Sequence, residues 1–370
     1  MKVITDGASL IVKGLIDAGC NFFAGYPITP ATGIYSGMIK AGIGIGAPDE
    51  ITAIHYVMGA SLSGLKSATA TSAPGFLLMS EGIGAAYMME IPLVVVLVQR
   101  LGPSTGSATT GAQGDIGLSQ IISGGYTIPV ICPSDFYDCY RLSIEAVNLA
   151  ERLRCPVILL TSKEMTMSER SIDLSKLGEY NAINRKIYQK NEKYRPYAVE
   201  DSLVPNFLPI GNQKHLVRAT ASTHDEDGYL QKISENALKN SLRLEQKLER
   251  NINLFPACLH DQHQDAENLV ISYGITNYAA KQAVLQLRKT FNGIKVSHLT
   301  ILTLFPVQVD QIKKAINETG IKRVIIPEEN HTGQYRIILI GKGCFKDNDV
   351  IGINKIGSLI TPQEIIRVFK

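Results

Sequence analysis

The sequence lacks the features that mark a nucleic-acid-binding or membrane-spanning protein. Its formal net charge is only +3 over 370 residues, and no basic stretch with interleaved aromatic residues occurs. The longest apolar run, 91–98, is far shorter than the ~20 residues that a membrane helix needs. The amino terminus has no apolar segment of the signal-peptide kind. We therefore expect a cytoplasmic protein with no nucleic-acid partner and no membrane contact.

The cysteines and histidines show no spacing that would hold a metal. The six cysteines are scattered without a Cys-x-x-Cys pair, and the seven histidines form no ligand pair at helical spacing. Structural zinc sites and iron–sulfur clusters require closely spaced ligands. The sequence therefore predicts no metal site in this chain, and any iron–sulfur cluster that the chemistry needs is expected on another chain.

The glycine motifs that bind nucleotide phosphates are also absent. There is no Gly-x-x-x-x-Gly-Lys-[Ser/Thr] loop, and no complete Gly-x-Gly-x-x-Gly follows a predicted strand. The pair Gly82 and Gly84 lies inside a predicted helix, where we interpret it as a packing site. These absences disfavour a nicotinamide-dependent dehydrogenase.

What is present is the alternation of strands and helices of an α/β protein. A hydrophobic fraction of 45% with 19% charged residues indicates a globular chain, and the length suggests two domains. The first part predicts a doubly wound parallel sheet. Its expected strands are 22–24, 42–46, 67–72, 92–98 and 155–160, and its expected helices are 7–19, 31–40, 50–66, 76–90 and 135–153.

The pattern changes twice along the rest of the chain. Residues 162–268 are polar and irregular, apart from one charged helix expected at 227–250. A second, Rossmann-like α/β unit follows, with strands at 269–273, 294–302 and 323–326, helices at 277–287 and 309–316, and a final capping box from Thr361 to Glu364. We divide the chain into an α/β domain (1–195), a linker or interface segment (196–266) and a smaller carboxyl-terminal domain (267–370).

The stretch 21–30 predicts a buried strand that ends in a stiff loop. Pro27 and Pro30 fix their own φ angles and push Tyr26 and Thr29 toward extended geometry. Thr29 is expected to cap the next helix, with Pro30 in its first position. The segment is either an ordinary strand-to-helix connection or, because it follows a parallel strand, part of a ligand site.

Two charged residues and one long loop stand out further along. Glu50 opens a predicted helix, where it is either functional or simply a carboxylate favoured by the helix dipole. Arg100 follows the most apolar strand, where it is either a ligand-binding residue or a member of a surface or interface ion pair. The polar segment 99–120 exceeds the ~12 to 15 residues of ordinary loops, which makes it functional or disordered. We expect it to belong to a subunit junction.

Several segments together resemble the alpha subunit of the 2-oxoacid:ferredoxin oxidoreductases, the 2-oxoglutarate type in particular. The likeness covers nearly the whole chain. It is based on Tyr26-Pro-Ile-Thr-Pro30, Glu50, and the segments 69–76, 80–84, 90–106, 223–228 and 329–334. The run Gln-Arg-Leu-Gly-Pro-Ser-Thr-Gly at 99–106 is the most specific of these signals.

The resemblance implies half of an active site. In that family the chain holds the pyrimidine half of thiamine diphosphate in a pyrimidine-binding-type domain, followed by a transketolase C-terminal-like domain. A beta subunit is expected to hold the diphosphate, Mg²⁺ and an iron–sulfur cluster. In agreement, the Gly-Asp-Gly diphosphate motif is missing here, and Gly114-Asp-Ile116 is a poor match to it.

The resemblance also implies roles for individual residues. Glu50 would bond the aminopyrimidine nitrogen, and Arg100 would bind the substrate carboxylate. Thr29 would face both substrate and cofactor. The cofactor contacts are completed by Tyr26, Pro27 and Ile28, and the substrate contacts by Ser104, Thr105 and Thr109.

Two histidines are placed outside the catalytic set. His224 is expected to be a structural clasp at a domain or subunit junction. His55, on the Glu50 helix, is expected to be either a core residue or a residue that faces the substrate.

The implied activity is oxidative decarboxylation of a 2-oxoacid to an acyl-CoA, with electrons passed to ferredoxin by the assembled complex. A gamma subunit would be separate or absent. Thr110 stands where 2-oxoglutarate enzymes often have a basic residue, so a branched-chain or specialised 2-oxoacid, or acyl transfer without CoA, stays open. A non-catalytic assembly subunit is the alternative from another class, although a scaffold would not need Thr29, Glu50 and Arg100 together.

Overall fold

The computed structural model describes residues 1–122, 124–290 and 293–369, which form three β-sheets with helices packed against them. The strands are β1 (Lys2–Asp6), β2 (Phe22–Gly25), β3 (Gly44–Gly46), β4 (Ser67–Thr71), β5 (Leu93–Gln99), β6 (Val130–Ile131), β7 (Pro156–Ser162), β8 (Glu169–Asp173), β9 (Leu259–Asp261), β10 (Asn268–Tyr273), β11 (Val296–Ile301), β12 (Thr303–Phe305), β13 (Arg323–Glu328) and β14 (Asp349–Asn354). The helices are α1 (Gly7–Asp17), α2 (Thr32–Lys40), α3 (Glu50–Leu62), α4 (Ala73–Leu78), α5 (Ser80–Met88), α6 (Ile116–Ile121), α7 (Phe136–Leu153), α8 (Lys163–Met167), α9 (Glu235–Arg250), α10 (Thr276–Thr290), α11 (Val309–Asn317), α12 (Gln334–Gly341) and α13 (Pro362–Arg367).

A seven-stranded sheet in the order β12-β6-β7-β5-β4-β2-β3 organises the first half of the chain. The pairs formed by β2 to β7 within it are parallel. All residues of β5 and β7 are buried, as expected of parallel strands covered on both faces. The α/β fold expected from the alternation of strands and helices is confirmed.

A second, five-stranded sheet in the order β14-β13-β10-β11-β9 lies in the last third of the chain. Its pairs are parallel except for β9, which runs antiparallel to β11. The strand expected at 294–302 is divided: β11 belongs to this sheet, whereas β12 pairs with β6 of the large sheet. The expected capping box at Thr361 and Glu364 is present.

Several predicted elements differ from the structure. Thr29 is not a helix cap: residues 28–31 form a turn closed by a hydrogen bond from Ala31 N to Ile28 O, and α2 begins at Thr32. The helix expected at 76–90 is two helices, α4 and α5. The charged helix begins later than expected, at Glu235, because Ser234 accepts a hydrogen bond from Ala237 N and caps it there.

The long segment between the two sheets is held by buried cations. Arg243 and Lys247 of α9 both pair with Glu90, which has no exposed surface. Arg185 pairs with the buried Glu151, and Arg154 donates to three main-chain carbonyls, of residues 196, 205 and 206. These groups therefore fasten a segment that is poor in regular structure to the first sheet.

Helix α3 is shorter than the expected 50–66. The small residues Gly59, Ala60, Ser63 and Gly64 share one face of the expected helix, a pattern that predicts close packing, but this packing is not found at Gly59 or Ser63. Gly59 and Ser63 are exposed, and a Cβ on Gly59 would meet no atom within 4 Å. By contrast, a Cβ on Gly82 would lie 2.7 Å from Ile54, so Gly82 is a packing site as expected. A Cβ on Gly84 would meet no atom within 4 Å, so the packing role expected of Gly84 is wrong. No helix in the described ranges is long and apolar enough to cross a bilayer.

Candidate active site

The carboxyl ends of four neighbouring parallel strands place the predicted residues at one edge of the large sheet. The Tyr26–Thr29 loop follows β2, and Glu50 lies in the connection that follows β3. The turn at Ser72 follows β4, and Arg100 follows β5. This edge is where doubly wound α/β proteins bind ligands.

Glu50 is the first residue of α3, and its carboxylate has no hydrogen-bond donor within the described residues. Asp49 caps the helix by accepting from Thr52 N at 2.6 Å, so Glu50 is not needed as a cap. Glu50 is only 6% exposed and lies against Gly75, where a Cβ would overlap both Glu50 and Thr71. A buried carboxylate of this kind requires a donor. The helix dipole favours its charge and leaves its hydrogen-bonding oxygens available.

Arg100 is a buried cation, 5% exposed. Its Nη1 donates to the main-chain carbonyl of Thr29 at 2.5 Å, and its Nε is buried without a partner. The described residues contain no ion pair with Arg100, so a surface ion pair within this chain is wrong, whereas an ion pair across a subunit interface stays a prediction. A guanidinium with unused donors in a buried site suits a bidentate carboxylate ligand.

The other predicted residues occupy more open positions. Tyr26 and Pro27 are exposed, and Ile28 is half-buried. Ser104, Thr105 and Thr109 lie exposed on a turn that is closed by a hydrogen bond from Leu101 N to Thr110 O at 2.8 Å. No hydrogen bond among the described residues joins this turn to Glu50 or Arg100. The structure thus brings Thr29 to Arg100, and the roles assigned to all these residues stay predictions.

The long polar segment is largely ordered in its second half, contrary to the alternative of disorder. It includes α6, and Gly111 N donates to Glu164 at 3.0 Å. Asp115, which directly precedes α6, is buried, and its Oδ2 has no partner. Sequence reasoning missed Asp115 as a site residue. Its only signal was the poorly matching Gly114-Asp-Ile116 triplet.

The two histidines have different surroundings. His224 is fully buried: its Nδ1 lies 2.8 Å from Ser222 O, and its ring centroid lies 3.8 Å from that of Tyr197. Burial lowers its pKa, opposed by the Ser222 hydrogen bond. His55 is exposed, with Nδ1 2.7 Å from Ile51 O, so the expectation of a core position is wrong. No group of three His, Cys, Asp or Glu able to hold a metal occurs in the described part of the chain.

These residues fit the pyrimidine half of thiamine diphosphate. Glu50 offers a buried acceptor, and the missing side chain of Gly75 leaves the room that the Glu50 carboxylate itself occupies. The geometry defines a ligand-binding α/β protein whose site lies at the carboxyl edge of a parallel sheet.

Known proteins identify the class further. The sequence model of the family described as "Pyruvate flavodoxin/ferredoxin oxidoreductase, thiamine diP-bdg" matches residues 13–240. The "2-oxoglutarate synthase subunit KorA" of Methanocaldococcus jannaschii is 37% identical over 375 residues, covering 99% of each chain. The alpha subunit of 2-oxoacid:ferredoxin oxidoreductase 1 from Aeropyrum pernix is 30% identical over 90% of this chain and 54% of that protein.

Comparison with solved structures supports the same family. The 2-oxoglutarate:ferredoxin oxidoreductase from Magnetococcus marinus, solved with 2-oxoglutarate, coenzyme A and succinyl-CoA, superposes with a TM-score of 0.91 at 30% identity. The match covers all of this chain and 64% of that one, so this chain spans just under two thirds of it. A split-gene transketolase, at 11% identity and a TM-score of 0.56, shares the fold alone. The chain belongs to the 2-oxoacid:ferredoxin oxidoreductase family as an alpha subunit, and it is part of a thiamine-diphosphate-dependent, multi-subunit enzyme.

Proposed function

We propose that the chain, together with a beta subunit, oxidatively decarboxylates a 2-oxoacid of the 2-oxoglutarate kind to its acyl-CoA and delivers the electrons to ferredoxin. One observation supports this more than any other. The free Glu50 carboxylate lies against Thr71 and Gly75 at the end of β4, and the buried Arg100 guanidinium follows the neighbouring strand β5 of the same sheet. A cofactor donor and a substrate carboxylate are the groups that these two side chains need.

Glu50 acts on the cofactor in this proposal. Bound thiamine diphosphate supplies a carbon nucleophile for the substrate carbonyl. Glu50 accepts a hydrogen bond from the protonated aminopyrimidine nitrogen and holds that proton in place. The Asp49 side chain caps α3 by accepting from Thr52 N, which fixes the start of the helix and therefore the position of Glu50. The absence of a side chain at Gly75 makes room for the Glu50 carboxylate.

Arg100 and Thr29 act on the substrate. The Thr29 carbonyl holds one edge of the guanidinium through Nη1, which leaves the other donors to bind the carboxylate next to the reacting carbonyl. The Tyr26–Ile28 loop completes the cofactor contacts. Ser104, Thr105 and Thr109, on the exposed turn, are proposed to close over the substrate when the partner subunit is present.

The choice of 2-oxoglutarate as the model substrate is based on the names of the relatives. Two further relatives, from Archaeoglobus fulgidus and Methanothermobacter thermautotrophicus, are also 2-oxoglutarate synthase KorA subunits, each 32% identical over 98–99% of this chain. Thr110 is half-buried and uncharged. A buried second carboxylate without a cation is costly, so we propose that the partner subunit supplies the charge for it.

The proposed partner subunits follow from the expectation that this chain contributes only half of the active site. We propose that a beta subunit holds the diphosphate, Mg²⁺ and the iron–sulfur cluster, and that CoA and ferredoxin act through the assembled complex, in which a gamma subunit is either separate or absent. We propose a cytoplasmic location for this complex.

Reconstitution tests the proposal. The purified chain is titrated with thiamine diphosphate and Mg²⁺ by calorimetry, alone and with the beta subunit. Cofactor binding and CoA-dependent reduction of ferredoxin by 2-oxoglutarate are expected only with both chains. Micromolar binding of thiamine diphosphate to the isolated chain would contradict the proposal that this chain holds only half of the active site. Reduction of ferredoxin with branched-chain 2-oxoacids alone would show that the substrate belongs to that class instead. A complex that is inactive with all 2-oxoacids would favour a non-catalytic assembly subunit.

A further inference from the structure

The loop that contains Asp115 is fastened to the carboxyl-terminal sheet. Gln113 N donates to Glu329 O at 2.8 Å, and Glu329 N donates to Gln113 Oε1 at 3.0 Å. Gln113 Nε2 donates to Tyr273 O at 3.0 Å. Gln113 therefore forms hydrogen bonds to the ends of both β10 and β13.

The other side of Asp115 is held in the same way. Gln334, the first residue of α12, donates from Nε2 to Gly114 O at 2.8 Å and accepts at Oε1 from Gly117 N at 2.9 Å. Because Gln113 and Gln334 fix the main chain on both sides, the position of Asp115 is determined by the carboxyl-terminal sheet. This gives a role to the 329–334 segment, which the proposed catalytic residues do not involve.

Asp115 is held beside Arg100 without touching it. Its main-chain N donates to the side-chain oxygen of Gln99 at 3.2 Å, and Gln99 directly precedes Arg100. Asp115 Oδ2 and Arg100 Nε are both buried without hydrogen-bond partners, and no direct ion pair joins them in the described residues. Burial raises the pKa of Asp115 to about 7, although the Arg100 charge acts in the opposite direction.

Other charged groups lie on the elements around Asp115. Glu164 is on α8, Glu328 and Glu329 are at the end of β13, and Arg336 is on α12. Among the charged groups, Arg100 is the neighbour whose charge opposes the effect of burial on the pKa of Asp115. The charge of Asp115 is therefore coupled to that of Arg100.

We propose that Asp115 is a positioning residue for the substrate carboxylate. It is the counter-ion of Arg100 in the free site, and it takes a proton from solvent when the 2-oxoacid carboxylate binds the guanidinium. The reason is that two carboxylates near one buried cation repel each other, which favours protonation of the one that is not in direct contact. The inference rests on the proposed role of Arg100 in substrate binding.

The sign of the pH dependence follows from this linkage. Below pH 7 Asp115 is already protonated, so the substrate binds without competition. Above pH 7 binding requires proton uptake, so the dissociation constant is expected to rise by about tenfold between pH 6 and pH 8. Asp115→Asn is neutral at every pH. It is expected to bind the substrate with the affinity that the wild type has at pH 6, without pH dependence.

Calorimetry on the assembled complex tests this. 2-Oxoglutarate is titrated at pH 6 and pH 8 without thiamine diphosphate or CoA, so that no turnover follows, and in two buffers of different ionisation enthalpy. The wild type is expected to take up a proton at pH 8, and Asp115→Asn is not. Asp347→Asn, which changes an exposed carboxylate, is the matched control.

The outcomes distinguish the inferred role of Asp115 from the proposed function of Arg100. A pH dependence that persists in Asp115→Asn overturns this inference, as does weaker binding at both pH values, which indicates a purely structural role. If the variant fails to assemble, buffer-independent heats in the wild type at pH 8 overturn it. Unchanged binding in Arg100→Lys contradicts instead the proposed function of Arg100.

Discussion

The guanidinium of Arg100 is bonded to the main-chain carbonyl of Thr29, 2.5 Å away. These residues follow β5 and β2, which are not neighbours in the sheet because β4 lies between them. The hydrogen bond therefore spans the strand end beside which Glu50 and Gly75 lie. It fixes one edge of Arg100 and leaves Nε and Nη2 for a ligand.

Arg100→Lys is expected to weaken substrate binding while cofactor binding holds. An ammonium cannot bind the Thr29 carbonyl and a carboxylate in the bidentate geometry of a guanidinium. A charge-assisted pair contributes about 1.5–3 kcal/mol, so the affinity for the 2-oxoacid is expected to fall roughly tenfold to a hundredfold. Titration of the complex with 2-oxoacid and, separately, with thiamine diphosphate measures both. Equal losses in the two affinities would place Arg100 in a structural role.

Glu50→Gln is expected to leave the fold intact and to slow deprotonation of the thiazolium C2 by ~100-fold or more, which is the usual effect of losing a general acid or base. The amide cannot hold the proton on the aminopyrimidine nitrogen as the carboxylate does. Hydrogen–deuterium exchange at C2 in the assembled enzyme is the measurement. Glu249→Gln, which changes an exposed residue of α9, is the control, and wild-type exchange in Glu50→Gln would refute the assignment.

Gly75→Ala is expected to displace Glu50. A Cβ at this position overlaps the Glu50 side chain and Thr71 Oγ1, and a shift of about 1 Å in a catalytic group costs on the order of 100-fold in rate. Gly341→Ala is the matched control, because a Cβ there meets no atom within 4 Å. Turnover and circular dichroism of both variants are compared. Full activity in Gly75→Ala would show that the position of Glu50 is not critical.

Glu90→Gln is expected to destabilise the chain by ~3–5 kcal/mol, because it leaves two buried cations without a counter-ion. Burial acts to raise the pKa of Glu90, but Arg243 and Lys247 outweigh it and hold the pKa at about 2. The stabilisation is therefore present above the unfolded pKa of about 4.5 and lost as the pH falls toward 2. Urea unfolding at neutral pH measures the loss, with Glu249→Gln as control. An unchanged free energy of unfolding would contradict the role of this network in holding α9.

Much of the fold was readable from local sequence. The strands β5 and β7 are apolar except for Gln99, Thr161 and Ser162 at their carboxyl ends, because both faces are buried. The capping box at Thr361 and Glu364 was visible because a cap depends on residues only three positions apart. Family-type motifs likewise pointed to Glu50 and Arg100, since both follow strands that end at one edge.

Predictions from local sequence were wrong where an element depends on a partner that is distant in the sequence. The apolar run at 294–302 gives no sign that the chain leaves one sheet after β11 and joins the other as β12. The helix cap predicted at Thr29 was also wrong, because residues 28–31 form a turn there and the helix begins at Thr32. Periodicity is read over windows of ~11–18 residues, so it cannot show which sheet a strand joins.

The sequence by itself determined the class of fold, the family and the strand ends that position Thr29, Glu50 and Arg100. Only the tertiary structure decided that Asp115 lies beside Arg100, because its position depends on contacts such as that between Gln334 and Gly114, 220 positions apart. Such contacts arise from the docking of two sheets whose packing is a global property of the chain. Helix periods, caps and strand patterns reflect only the physics of neighbouring residues.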